Sequence, residues 1–463
     1  MGSQMGKDAR EAIKKAAGPA NYTEGRAQRV IYASDGTGRF FPPEAVVRAV
    51  DIPQISKVLA ACTAHRVPVV ARGAGTGLTG GALSVAGGVC LDMGGLTRII
   101  RLDPVDQTAV VQAGLITSDL QAAARAQGLF YPPDPASANM STIGGNVAEN
   151  AGGLRAVKYG VTRDYVLGLK AVLPDGRVFK TGSATMKSVV GYDLTRLLVA
   201  SEGTLAVIVE ATLKLLPLPE ASVTISSLFK SLDQAMAGVA GVLGGGIRPV
   251  ACEFMDAASL RAVEDHAGLG IDPAMEAMIL IDLDGPSEVL GRQAGQVAET
   301  LAKAGGLEVK QALGPEEAAT LWKARRSLSP AVYNLAKGKL NEDIVVPLGK
   351  MGEMIRRVQD LSQKRGILIV SFGHAGDGNI HVNIMYDPED PQKVEAAHQC
   401  VSDVFALTLA LGGTVSGEHG VGTSKLGYAG AEIDPVALEL MHGLKRLFDP
   451  AGILNPHKAL PSV

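Results

Sequence analysis

Cysteine is scarce. The 463 residues contain four, Cys62, Cys90, Cys252 and Cys400, with no CxxC pair among them. That argues against a disulfide scaffold, a thiolate zinc site or an iron–sulfur cluster held by this chain, and it fits a reducing, cytoplasmic setting. No Lys/Arg-rich run occurs, and 44 basic residues against 47 acidic ones give a net charge of −3. Nucleic acid is therefore excluded as the default partner in favour of a small molecule or another protein. Every apolar stretch is broken by charge, glycine or proline well short of the ~18 residues a membrane span needs. The leading MGSQMGKDAREAIKKAAG has no apolar h-region, so neither a secretory signal nor a transmembrane segment is expected. With 46% hydrophobic and 20% charged residues and no low-complexity tract, disordered and coiled-coil classes also drop out. Aromatics make up only 4%.

What is abundant is glycine, with 56 residues against an average usage of about 7%. The length predicts two or three domains. After a lead-in over 1–39, Ile55, Val58, Leu59 and Cys62 recur at helical spacing, and 68–71 is a short buried strand that runs into RGAGTGLTGG. Strands are expected at 88–93 and 108–112, a helix at 119–127, a hairpin at 167–181 and a long strand at 204–216. Residues 131–159 are rich in turn formers and almost without apolar periodicity, which reads as a functional loop. LPLPE at 216–220 reads as a linker. Beyond it, the order of strands and helices over 223–311 predicts a ferredoxin-like antiparallel sheet with helices on one face. Helices at 316–327, 354–363 and 394–411 and strands at 343–347 and 368–372 follow. The fold class is α+β, divided as 1–39, 40–219, 220–425 and a C-terminal segment 426–463.

The glycines are concentrated where chemistry is expected. In RGAGTGLTGG, Gly73, Gly75, Gly77, Gly80 and Gly81 lack Cβ atoms and admit positive φ, so successive N–H groups can converge on an anion. No helix follows the loop, which excludes P-loop and Rossmann readings. STIGGNVAENAGG at 141–153 offers a second glycine-rich surface of small side chains, hydroxyls and amides. Two such loops suggest a dinucleotide, one serving the pyrophosphate and the other the ring system.

SFGHAGDGNIHVN at 371–383 reads as strand, tight turn, strand, a hairpin that can bring His374 and His381 together. SGEHGVG at 416–422 adds Glu418 and a third imidazole, His419. Two histidines and a carboxylate with one coordination position left open suit a catalytic divalent metal. His398, on an amphipathic helix, and His65, at a helix end, lack such neighbours and read as structural.

PVVARGAGTGLTGG, PPDPAS with STIGGNVAENAGG, KYGVTRDYVLGLKAVLPDGRV and LLVASEGTLAVI together resemble the FAD domain of the vanillyl-alcohol-oxidase (PCMH-type) flavoproteins. Within them the chain resembles the branch that holds the glycolate oxidase D-subunit, D-lactate dehydrogenase and D-2-hydroxyglutarate dehydrogenase, over about 40–460 of its residues. The resemblance implies a two-subdomain FAD-binding domain, a substrate (cap) domain, and a C-terminal segment bearing Asn455 that returns to the FAD domain. Arg72, Gly73, Ala74, Gly75, Thr76, Gly77, Thr79 and Gly80 are then expected at the pyrophosphate. Pro133, Asp134, Ser137, Thr142, Gly144, Gly145, Asn146, Gly152 and Gly153 are expected along the flavin and ribityl chain, and Glu202, Gly203 and Ile208 on the adenosine side. The first loop has no histidine, so the FAD is expected to be non-covalent.

The same resemblance implies His374, His381 and Glu418 as Zn or Mn ligands, His419 as base, and Arg325 as the cation for the substrate carboxylate, with Arg326 its rival. The expected reaction is oxidation of a D-2-hydroxy acid with hydride transfer to the flavin. Relatives specific for 2-hydroxyglutarate carry a lysine where this chain has Asn341, two residues beyond Lys339, which tilts the substrate toward D-lactate or glycolate. D-2-hydroxyglutarate is the alternative, and a metallohydrolase or a non-catalytic flavin electron-transfer subunit are the rivals from other classes. With no cluster motif here, electrons are expected to leave for an iron–sulfur subunit, an electron-transferring flavoprotein or a quinone; a homodimer is left open.

Overall fold

The computed structural model describes residues 5–312 and 314–462, and the chain divides into two compact units. The first comprises Met1–Gly153, Gly160–Leu218 and Glu418–Val463, and the second Leu154–Tyr159 and Pro219–Gly417. Residues 1–4 of the lead-in lie outside the described residues. The lead-in carries a helix that the sequence reading did not mark, Lys7–Ala17, which buries Ala9, Ile13 and Ala17.

The first unit holds two main sheets. In one, Tyr22–Thr23, Ala45–Arg48, Val89–Asp92 and Val69–Arg72 are neighbours in that order, and the last three pair in parallel. The crossover between Ala45–Arg48 and Val69–Arg72 is the helix Ile52–Ala64, which buries the expected Ile55, Val58, Leu59 and Cys62. Its start is set by Asp51, whose carboxylate accepts from Gln54 N at 2.7 Å, and by Pro53, whose missing N–H costs nothing in the first turn. The second sheet is antiparallel, in the order Ile99–Asp103, Thr108–Gln112, Val207–Lys214, Val166–Val172, Val178–Gly182. The C-terminal segment adds to the edge of the first sheet: Val69 N donates to Ile453 O at 2.8 Å and Asn455 N to Val69 O at 2.9 Å.

The second unit is built on a seven-stranded sheet in the order Leu307–Ala312, Ala221–Phe229, Ala277–Gly285, Ala251–Asp256, Leu368–His374, Asn379–Tyr386, Gly338–Val345. Its first four neighbours have the 4-1-3-2 arrangement of a ferredoxin-like sheet, and every pairing is antiparallel. A helix missing from the sequence reading, Ala257–Ala267, lies between the second and third of these strands in chain order. Its punctuation was present: Asp256 caps the start and Gly268, at φ 56°, ends it.

Asp256 also ties that helix to the sheet, for its buried carboxylate accepts from Ser259 N at 2.8 Å and from Ser371 N at 2.9 Å. Burial raises this carboxyl from 3.8 to about 6, against the pull of those two donors. Between those values the folded chain holds a proton that the unfolded chain has released. The group's contribution to stability is therefore full below about pH 4 and declines as pH rises through about 6. Thermal melts across this range are expected to lose that component of their pH slope in Asp256→Asn. Asp256→Ala, which strands both N–H groups, is expected to cost about 2–4 kcal/mol.

Candidate active site

In the first unit, the strand Val69–Arg72 delivers the chain into the first glycine loop. Gly73, Ala74, Gly75, Thr76 and Gly77 line a cavity together with Ser137, Thr142, Gly144, Gly145, Asn146, Gly152, Glu202, Gly203, Ile208 and Asn455. Glu418 and His419 line the same cavity. The other expected cofactor residues, Arg72, Thr79, Gly80, Pro133, Asp134 and Gly153, are not among the lining residues. Arg72 is buried and props the loop from behind, donating through Nη2 to Ser34 O at 2.7 Å and through Nη1 to Ala82 O at 3.3 Å. Thr79 fastens the loop to the GEHG segment: its hydroxyl donates to His419 O at 3.0 Å, and its carbonyl accepts from Thr423 N at 2.8 Å and Ser424 N at 3.1 Å. Pro133 O accepts from Gln121 Nε2 at 2.8 Å, and Gly153 packs against Asp134 O.

The second glycine-rich segment differs from its expected loop character, because Ile143–Glu149 is a short helix. Thr142 caps it, accepting from Gly145 N at 3.2 Å, and only Ile143, Asn146 and Val147 are buried, too few to leave an apolar period in the sequence. Space in this wall is tight. A Cβ at Gly144 would lie 2.7 Å from Ala113 Cβ, and one at Gly73 would run into Thr142 Oγ1. Backbone without side chains facing a cavity is what close approach to a large polar ligand requires, so the residues present fit a dinucleotide.

Glu202 stands at φ 50° with its carboxylate buried. It accepts from Val421 N and Gly422 N, both at 2.8 Å. Burial raises this carboxyl even though the two N–H donors pull it down. Glu418 and His419 precede those donors in the chain, their side chains 3.9 Å apart at the nearest N and O and both partly buried.

In the second unit, the hairpin Leu368–His374 and Asn379–Tyr386 brings the two expected histidines together, with ring centroids 5.2 Å apart and planes at 88°. Their organiser comes from a distant part of the chain. Glu253, fully buried on the neighbouring strand, takes His374 Nδ1 at 2.6 Å on one oxygen and Arg325 Nε at 2.8 Å on the other. Burial works to raise the Glu253 carboxyl, but the charges of His374 and Arg325 outweigh it and hold it below the ordinary range. The Arg325 guanidinium also lies 4.9 Å from the Phe372 ring centroid. Its rival Arg326 is exposed. His381 Nδ1 lies 3.9 Å from Asp343 Oδ1, and Asp343 is buried and accepts from Asn379 Nδ2 at 2.6 Å and Gly417 N at 3.0 Å. His398 is exposed and His65 is the C-cap of Ile52–Ala64, in keeping with their structural reading.

Residues 218–459 match the family model described as FAD linked oxidases, C-terminal domain, and residues 43–182 the FAD binding domain. The chain belongs to the FAD-linked oxidases. It is 41% identical over 453 residues to glycolate oxidase subunit GlcD of Bacillus subtilis (strain 168), covering 98% of this chain and 96% of that protein. It is 36% identical over 425 residues to a D-lactate dehydrogenase of Anaerostipes hadrus, covering 90% and 89%. Among solved structures, p-cresol methylhydroxylase with substrate bound superposes with a TM-score of 0.82 at 18% identity, covering 98% of this chain and 96% of that one. The PCMH-type fold follows from that likeness. This FAD-linked oxidase is an FAD-dependent oxidoreductase, and no described helix in it is long and apolar enough to cross a membrane.

Glu253 is the residue in this FAD-linked oxidase whose signal was present but unread, a carboxylate inside the otherwise mostly apolar strand ACEFMD, all six residues of which are buried. Removing it leaves a guanidinium and an imidazole without their shared partner. Glu253→Ala is expected to destabilise the protein by about 3–5 kcal/mol, and Glu253→Gln, which keeps an oxygen acceptor, by less. Thermal unfolding of both variants checks this order.

Proposed function

We propose that the protein oxidises a short D-2-hydroxy acid, D-lactate or glycolate, to the 2-oxo acid and passes the electrons to an acceptor other than oxygen. The observation that carries this reading is that His419, a candidate base, lines the same cavity as the two glycine-rich segments. The names of the relatives, a glycolate oxidase subunit and D-lactate dehydrogenases, point the same way. FAD, when bound, supplies a two-electron acceptor for the hydride from the substrate Cα. His419 takes the proton of the substrate hydroxyl. Arg325 receives the substrate carboxylate: its Nε is committed to Glu253, and its terminal nitrogens remain to form the paired hydrogen bonds that suit a carboxylate.

His374, His381 and Glu418 are assigned to a divalent metal, Zn or Mn, which would acidify the substrate hydroxyl. The donor set fits. The Glu253 carboxylate behind His374 Nδ1 is the kind of support that orients the other ring nitrogen toward a metal. A short monocarboxylate is favoured over 2-hydroxyglutarate because Lys339 is held elsewhere, its ammonium 4.1 Å from the Tyr333 ring centroid, while Asn341 offers no charge to a distal carboxylate. The electron acceptor is assigned to a separate iron–sulfur or flavoprotein subunit or a quinone, and the setting to the cytoplasm, on the same scarcity of cysteine.

Anaerobic mixing with glycolate, D-lactate, L-lactate and D-2-hydroxyglutarate is expected to bleach the flavin absorbance with D-lactate or glycolate fastest. His419→Asn should slow that bleaching about 10²–10⁴-fold, the range for loss of a general base. Treatment with a chelator should suppress bleaching, and Zn or Mn should restore it; an unaffected rate removes the metal from the mechanism. A protein that binds FAD yet is bleached by none of these acids overturns the substrate assignment.

A further inference from the structure

One carboxylate in the cavity wall is not used by the chemistry above. Glu149 ends the helix Ile143–Glu149 and lines the cavity. Its Oε2 is out of contact with solvent and has no hydrogen-bond partner among the described residues. Two glycines make room for it. A Cβ at Gly81 would lie 2.6 Å from Glu149 Oε1, and one at Gly420, which stands at φ 79°, would run into Oε2. The same two glycines abut Glu202, with Oε2 3.8 Å from the Gly81 position and Oε1 3.2 Å from the Gly420 position. Two carboxylates thus share one small space.

Their surroundings treat them unequally. Burial raises both carboxyls, but Glu202 receives two backbone N–H groups that favour its ionised form over that of Glu149. Glu149 receives none among the described residues, and an ionised Glu149 would face Glu202 inside a wall whose glycine loop is suited to an anionic pyrophosphate. A buried acid in that position keeps its proton, and a protonated carboxyl is a donor. Burial and then the charge of Glu202 both raise the Glu149 carboxyl, with Lys458 opposing and Asp35 adding to the rise. Lys458 is buried nearby, donating to Gly81 O at 2.9 Å, to Asn455 Oδ1 at 2.5 Å and to Leu83 O. Burial lowers this ammonium to about 7, although Glu202, Asp35 and Glu149 each favour its charge. Among the described residues, Glu202, Lys458 and Asp35 are the charged groups that bear on Glu149.

We propose that Glu149 is a cofactor-positioning residue that stays protonated and donates a hydrogen bond to an oxygen of FAD through Oε1, the oxygen that is not sealed from the cavity, so that FAD is held less tightly as pH rises. The proposal rests on the assignment of the glycine-lined cavity to FAD. The test is FAD binding by the apo-protein, read as quenching of FAD fluorescence from pH 6 to 9, without turnover. In the wild-type protein the Kd is expected to rise up to about tenfold per pH unit once Glu149 ionises, the slope of one linked proton. Glu149→Gln is nearly isosteric and a permanent N–H donor. It is expected to bind FAD at pH 7 within about threefold of wild type and to lose the part of the pH slope that Glu149 contributes, while Glu149→Ala weakens binding about tenfold or more. An unchanged slope in Glu149→Gln assigns the pH dependence to Lys458 or another group and overturns the proposal, as does a wild-type Kd that is flat from pH 6 to 9. A wild-type protein that takes up no FAD at any pH overturns the cavity assignment itself.

Discussion

The Glu202 carboxylate is the tie on which the first unit's cavity depends. It lies in the left-handed region, buried, and gathers the N–H groups of Val421 and Gly422. Those two donors directly follow the GEHG segment, so the tie sets where Glu418 and His419 enter the wall. Thr79 makes a second attachment from the glycine loop to the same segment through His419 O. Both attachments hold the segment by its backbone groups, and Glu418 and His419 line the cavity.

The second unit solves an analogous problem with side chains. Glu253 is charged and fully buried, and it remains tolerable because both oxygens are engaged, one by an imidazole and one by a guanidinium. The pair it joins comes from separate elements, a sheet strand and the helix Lys323–Tyr333. A single carboxylate therefore sets the separation of a candidate metal ligand and a candidate carboxylate receptor. Phe372, facing the guanidinium, restricts its plane.

Much of this was legible in the sequence because glycine and histidine leave local marks. The loop at 72–81 stands out in the sequence by its glycines and lines the cavity, and His374 and His381 read as neighbours because AGDGN reads as a tight turn. The ferredoxin-like order was legible from the alternation of strands and helices. Glu253 was legible only as a carboxylate inside a mostly apolar strand; its role was not, since its partners are 72 and 121 residues away and no local pattern announces them. Glu149 and Lys458 escaped for the same reason: each looks like an ordinary surface charge until the fold removes the water around it. The helix Ile143–Glu149 was hidden by its composition, because a helix that presents glycine and alanine to a ligand has almost no apolar stripe to detect.

The first unit draws on both ends of the numbering, with most of the second unit, Pro219–Gly417, inserted between its parts. Its cavity wall includes Glu418, His419 and Asn455, and its edge strand is completed by Ile453 and Asn455. During synthesis the two glycine-rich segments emerge early, yet the wall they belong to stays open until the second unit has been translated. The cavity wall is thereby finished only once Asn455 has left the ribosome, and until then the strand Val69–Arg72 lacks the backbone partners that Ile453 and Asn455 supply.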